Sequence, residues 1–211
     1  MSACPHPGED KNVMKLAELA ERLNSRNAGG LGLPPLIMIT DAVRLPDPES
    51  AAERLPRGSA ILLRDYDMVG REALARRLAA VARRRGLKLL IAGDAGLAIQ
   101  IGAAGVHFPE ARAGEARRWR QRKNWLITIA AHSRTALSHA AYCGADAAFL
   151  SPVFGTQSHP GQPPLEAAGF SQLAARASLP VYALGGITEN NAGRLLTGPA
   201  AGIAAIGAFA G

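Results

Sequence analysis

The chain has 211 residues, 48% of them hydrophobic and only 5% aromatic, with a formal net charge of +7 from 24 Lys and Arg against 17 Asp and Glu. That length carries one sizeable core, and no apolar run reaches the ~20 residues that a membrane-spanning helix needs, so no membrane partner is expected. Two cysteines, Cys4 and Cys143, form neither a disulfide framework nor a metal cluster, and Met1 to Lys11 lacks the apolar core of a secretory signal. The expectation is a cytoplasmic protein with a flexible tail over 1–11 and a single domain over 12–211.

Apolar, β-rich runs recur along the chain with helical segments between them. A leading helix over Asn12 to Ser25 precedes the first strand, Leu36 to Asp41, and Ala60 to Arg64 reads as the second. Between Val69 and Arg85 lies a basic amphipathic helix with Leu74, Leu78 and Val81 on one stripe; Gly86 stops it before the strand Lys88 to Ala92. Asp94 to Ile101 is a short helix, Gly102 to His107 turns into a fourth strand, Ala113 to Arg122 is a helix, and Trp125 to Ala130 a fifth strand. Ser133 caps a helix running to Cys143, and Ala145 to Ser151 is the sixth strand. A Gly/Pro-rich loop, Pro152 to Pro164, leads to a helix around Phe170 to Ala177.

The last two strands end alike. Val181 to Leu184 empties into Gly185 and Gly186, then a polar start to a helix; Ala201 to Ile206 is followed by Gly207 and a last short helix. Glycine turns at neighbouring strand ends bring bare backbone N–H groups up to an anion, and in (β/α)8 barrels the loops after strands seven and eight commonly hold phosphate. Strands alternating with helices at this pitch indicate parallel pairing with right-handed crossovers, and eight such units close a barrel. An open doubly wound sheet would instead place its glycine-rich turn after the first strand, where this chain has Thr40 and Asp41. The expected fold is therefore a small, phosphate-binding (β/α)8 TIM barrel, near the lower end of a size that is typically about 250 residues.

From Leu36 onward the chain resembles the thiamine-phosphate synthase and thiazole tautomerase family. The resemblance rests on Ile39-Thr40-Asp41, Leu63-Arg64-Asp65, Gly102 to His107, Gly144-Ala145-Asp146, Ser151 to Gly161, Leu184 to Ile187 and Ile203 to Ile206, in that order and spacing. It implies a barrel that binds small phosphorylated thiamine precursors, with a synthase joining a pyrimidine pyrophosphate to a thiazole phosphate and expelling pyrophosphate with Mg2+. Carried over residue by residue, it keeps the fold and loses chemistry. Arg64 matches the family's arginine, but Leu62 and Tyr66 stand where its Gln and Lys would be. Ala92 and Gly93 replace its Asn-Asp, and Arg112 its second acidic ligand. Magnesium takes hard oxygen ligands, so the usual site is expected to be lost unless Asp94 or Glu110 substitutes.

Arg112 and Arg64 offer another route, since guanidiniums meet phosphates through bidentate hydrogen bonds; alternatively Arg112 merely begins a solvated helix. Thr156 and Ser158 match the family's Thr-x-Thr hydroxyls for the phosphate-bearing substrate, and His159 stands where Lys is frequent. This thirteen-residue loop is long enough to suggest function. His132, after the fifth strand, matches the histidine of tautomerases, where an imidazole can move a proton on carbon; synthases also carry one there as a helix-start residue. Ala130 removes a hydroxyl usual in the family. His107 reads as a strand-end packing residue and His139 as a surface one.

The basic clusters Arg76-Arg77, Arg83 to Arg85, Arg117-Arg118 and Arg120 fall on helices that a barrel places outside. They read as solvated faces or contacts in a homo-oligomer, and no nucleic-acid motif accompanies them. Three functions remain open: a divergent synthase, with Mg2+-dependent pyrophosphate release; a tautomerase using His132; and a non-catalytic phosphate-binding relative.

Overall fold

The computed structural model describes residues 11–156, 161 and 163–209. Eight parallel strands close into a barrel in chain order: β1 Leu36–Ile39, β2 Ala60–Leu63, β3 Lys88–Ala92, β4 Gly105–Phe108, β5 Leu126–Ala131, β6 Ala147–Leu150, β7 Val181–Leu184 and β8 Ala200–Ala205. Closure is sealed by β8 pairing with β1, with Ile203 opposite Leu36 and Ala205 opposite Met38.

The strands are short and buried on both faces, which is why they read as continuous apolar runs. Their alternation sorts side chains into two cores. Ile37, Ile39, Leu62, Leu90, Phe149 and Tyr182 fill the barrel interior, whereas Leu36, Met38, Ile61, Leu63, Leu89 and Ile91 face the surrounding helices. Tyr182 crosses the interior floor and donates its hydroxyl to Pro34 O at 2.6 Å. Gly202 is the residue that makes room for that ring, because a Cβ there would stand 2.7 Å from Tyr182 Cε1. His107 is buried on the interior face of β4, with Nδ1 2.9 Å from Thr128 Oγ1 and its ring 4.8 Å from that of Phe149. Its packing role at a strand end is thereby realised. Burial, with the charge of Arg64 adding to it, holds its pKa down at about 3, so it is a neutral imidazole.

The helices are α1 Lys11–Asn27, α2 Pro48–Glu53, α3 Arg71–Arg85, α4 Ala95–Gln100, α5 Arg134–Tyr142 and α6 Glu166–Ala174. Their ends follow side-chain chemistry. Asp47, Asp94 and Ser133 each accept a backbone N–H of the first turn, and Gly86 takes the left-handed conformation that ends α3. After β8 the described chain makes only the 3-10 turn Gly207–Phe209, and α1 covers β8 instead. Asn24 donates to Ala201 O at 2.8 Å and Asn27 to Ala200 O at 2.8 Å, fastening the leading helix over the closing strand.

Several boundaries differ from expectation. Between β4 and β5 the chain forms a 3-10 helix, Glu110–Arg118, with non-helical dihedrals at Arg112, rather than a helix over Ala113 to Arg122. The helix expected around Phe170 to Ala177 begins earlier, at Glu166, and the segment after β7 makes only the 3-10 turn Ala192–Leu195. The six-residue α2 was not expected; it buries only the adjacent Ala51 and Ala52, which show no apolar periodicity. The basic residues do lie outside the barrel, where Arg76 pairs with Glu72, Arg77 with Glu49, and Arg84 with Glu53. Among the described residues, no helix is long and apolar enough to cross a membrane. Of the tail expected over 1–11, all but Lys11 lies outside the described residues.

Candidate phosphate-binding site

The ends of β7 and β8 are neighbours, with Leu184 opposite Ala204. Beyond them Gly185, Gly186 and Gly207 line one cavity of about 330 Å³, together with Leu184, Ile187 and Thr188, and Ser151 and Thr156 from the far side. Arg64 and Arg44 complete its rim. Gly185 and Gly186 have φ of +99° and +64°, a backbone that favours glycine. Space demands glycine as well: a Cβ on Gly186 would stand 2.4 Å from Gly155 O. The loop after β6 is anchored there by Val153 N–H donating to Leu184 O at 2.9 Å and Phe154 N–H to Gly185 O at 3.0 Å. The Ser151–Pro152 peptide at its start is cis. Asn191 closes the turn from the other side, donating to Gly186 O at 2.8 Å and accepting from Thr188 N–H at 2.9 Å.

The two acid-containing motifs at the ends of β1 and β2 lock each other. Asp65 accepts from Thr40 Oγ1 at 2.5 Å and from Ala42 N–H at 2.7 Å, while Thr40 Oγ1 itself accepts from Arg64 N–H at 3.1 Å. In return, Arg64 Nη2 donates to Asp41 Oδ2 at 2.7 Å. Arg44 donates to the same oxygen from Nη2 at 2.7 Å and Nε at 3.1 Å. These side-chain bonds from Arg44, together with its N–H and the charge of Arg64, outweigh partial burial and hold the Asp41 carboxyl at about 2. Neither Arg44 nor the orienting role of Asp41 was expected; the only signal is an Asp three residues before an Arg at a strand end.

The other expected site residues are spread around the mouth. Thr156 lines the cavity, and Ser158 and His159 lie outside the described residues. Arg112 is not among the lining residues. It forms a two-pronged ion pair with Glu115, Nε to Oε1 at 2.5 Å and Nη2 to Oε2 at 2.8 Å, over Gly93. His132 directly follows β5 and is exposed; its Nδ1 lies 2.9 Å from Ser151 O, and its N–H donates to Glu110 Oε2 at 3.1 Å. A carbonyl can only accept, so Nδ1 is the donor in this contact. Ser151 thus joins His132 to the cavity wall. Of the possible substitute ligands, Asp94 caps α4 through Leu97 N–H at 2.8 Å and lies 3.8 Å from Arg71, and Glu110 is bonded to His132.

Comparison with known proteins identifies the family of the barrel. Thiamine-phosphate synthase of Thioalkalivibrio sulfidiphilus is 32% identical over 203 residues, covering 92% of each chain. That of Methanoculleus marisnigri is 36% identical over 159 residues, covering 72% of this chain and 74% of its own. The solved thiamine phosphate pyrophosphorylase of Pyrococcus furiosus superposes with a TM-score of 0.71 at 26% identity, covering 87% of this chain and 88% of that one. The family model for thiamine monophosphate synthase matches residues 36–209, the whole barrel from its first strand, and the chain belongs to that family.

Proposed function

We propose that the cavity binds the phosphate of a thiamine precursor, thiazole phosphate or pyrimidine pyrophosphate, and that the protein is a synthase-type transferase in which guanidiniums take over charge that a carboxylate-held Mg2+ meets in its relatives. The observation that carries this is the convergence of Gly185, Gly186, Gly207 and Arg64 on one cavity at the carboxyl ends of the strands. Glycine turns bring amide N–H groups to phosphate oxygens, and the Arg64 guanidinium lines the same cavity. Thr156, on the cavity lining, supplies a hydroxyl from the loop after β6.

The residues at the family's metal positions do not fit Mg2+. Ala92 and Gly93 offer no side-chain oxygen, and the space above Gly93 is taken by the Tyr66 ring and the Arg112 guanidinium, 2.9 and 3.0 Å from where a Cβ would stand. Among the described residues, no group of three His, Cys, Asp or Glu is placed to hold a metal ion. In the transfer step a bond forms to the thiazole as the bond to pyrophosphate breaks. Negative charge accumulates on the departing group, and Arg64, on the cavity rim, would meet it there, whereas Arg112 is paired with Glu115 outside the cavity lining.

A second reading, proton transfer on the thiazole by His132, is favoured by the hydrogen bond from its Nδ1 to Ser151 O, which orients the ring beside a residue of the cavity wall. Both reactions can be followed on the purified chain. Pyrophosphate release from the two synthase substrates, sustained in EDTA, supports the first reading; conversion of the thiazole carboxylate phosphate, abolished in His132→Ala, supports the second. Neither turnover, with ligand still bound, would leave only a phosphate-binding relative.

A further inference from the structure

Asp41, Arg44 and Arg64 meet at the cavity rim in an arrangement that the glycine turns do not require. Asp41 uses one oxygen on the backbone: Oδ1 accepts from the N–H groups of Val43 at 3.2 Å and Arg44 at 3.0 Å, folding the chain back over the end of β1. The other oxygen, Oδ2, receives Nη2 of both Arg44 and Arg64 at 2.7 Å. One carboxylate oxygen therefore holds two guanidiniums side by side. The arginine side chains remain 24% and 34% exposed against 13% for the carboxylate, and both line the cavity. Within this trio two positive charges meet one negative, and the other carboxylate at these strand ends, Asp65, is turned to Thr40 and Ala42 and is not part of the cavity lining.

We propose that Arg44 is a second anion-binding residue of this cavity and that Asp41 is a positioning residue, holding Arg44 and Arg64 together so that the pair receives a phosphate group opposite the glycine turns. The inference rests on the phosphate site proposed above and adds a residue to it. A phosphate monoester or diphosphate carries about two or more charges at neutral pH, more than one exposed guanidinium neutralises. Without a tether, two long arginine side chains would repel each other and lose rotamer freedom on meeting a ligand; Asp41 removes both obstacles before the ligand arrives.

The test is a 31P NMR titration of the full chain with inorganic phosphate, comparing wild type with Arg44→Gln, Arg44→Lys, Asp41→Asn and, as a control on the outer face of α3, Arg76→Gln. Arg44→Gln should weaken binding by about tenfold or more, the loss of a charge-assisted hydrogen bond, in a chain that a melting curve shows to be fully folded at the titration temperature. Arg44→Lys should recover part of the affinity, and Arg76→Gln should bind as wild type. Asp41→Asn keeps Oδ1 as an acceptor while removing a negative charge, so the two accounts of Asp41 differ in sign. A positioning residue gives weaker binding and no further loss in the Arg44→Gln background, whereas a merely competing anion gives tighter binding. Wild-type affinity in Arg44→Gln would overturn the role of Arg44, and tighter or strictly additive effects of Asp41→Asn would overturn positioning. No binding by wild type would remove the phosphate site and this inference together.

Discussion

Arg112 Nη1 stands 3.0 Å from the place a Cβ on Gly93 would occupy, with Tyr66 Cε1 on the same spot at 2.9 Å. Gly93 has φ of +67°, so a side chain there would meet both strain and occupied space. Placing a carboxylate at that one position should therefore not create a metal site. Gly93→Asp is expected to lower unfolding free energy by about 1 kcal/mol or more, and Mg2+ should not raise its melting temperature. A melting temperature that climbs with Mg2+ in the variant would show that Tyr66 and Arg112 yield readily.

The glycines of the cavity differ in what they tolerate. A Cβ on Gly186 would stand 2.4 Å from Gly155 O, whereas one on Gly207 meets nothing within 4 Å. Gly186→Ala should cost about 1–3 kcal/mol and abolish phosphate binding, because the turn must reopen against the loop after β6. Gly207→Ala should change stability by less than about 0.5 kcal/mol. Urea denaturation measures both, and equal costs would contradict the close approach at Gly186.

The buried imidazole of His107 makes stability depend on pH in a definite direction. Its folded pKa is lowered from 6.5 to about 3, so between those values the unfolded chain binds a proton that the folded chain refuses. Its contribution is full above pH 6.5 and is lost as pH falls toward 3, at up to about 1.4 kcal/mol per pH unit. Asp41, lowered from 3.8 to about 2, loses its contribution only as pH falls from 3.8 toward 2, which lies below pH 4.5. Unfolding free energies of wild type and His107→Gln, measured between pH 7 and pH 4.5, should converge as pH falls. Parallel curves would mean that His107 accepts a proton in place.

The sequence made the strands legible because each is a short apolar run buried on both faces, and it made the fold legible because those runs alternate with helices and end in glycine where a barrel holds phosphate. Helix limits were less legible. Glu110–Arg118 has the composition of an ordinary helix, yet Arg112 leaves helical geometry at φ −113°, ψ 16°. Of the residues lining the cavity, Gly185, Gly186 and Gly207 could be read from strand ends, and Arg64 from a strand end together with its match to the family's arginine. Arg44 could not, since it reaches the cavity only because Asp41 folds the chain back. Tyr66 over Gly93 and Glu110 bonded to His132 were likewise hidden, being contacts between different strand ends that local pattern does not encode.

A crystal structure of the full chain soaked with thiazole phosphate tests the central claim most directly. The phosphate should lie within hydrogen-bond distance of the amides at Gly185, Gly186 and Gly207, with the Arg64 guanidinium facing it. Phosphate density elsewhere on the barrel, or an empty cavity at saturating ligand, would contradict the account.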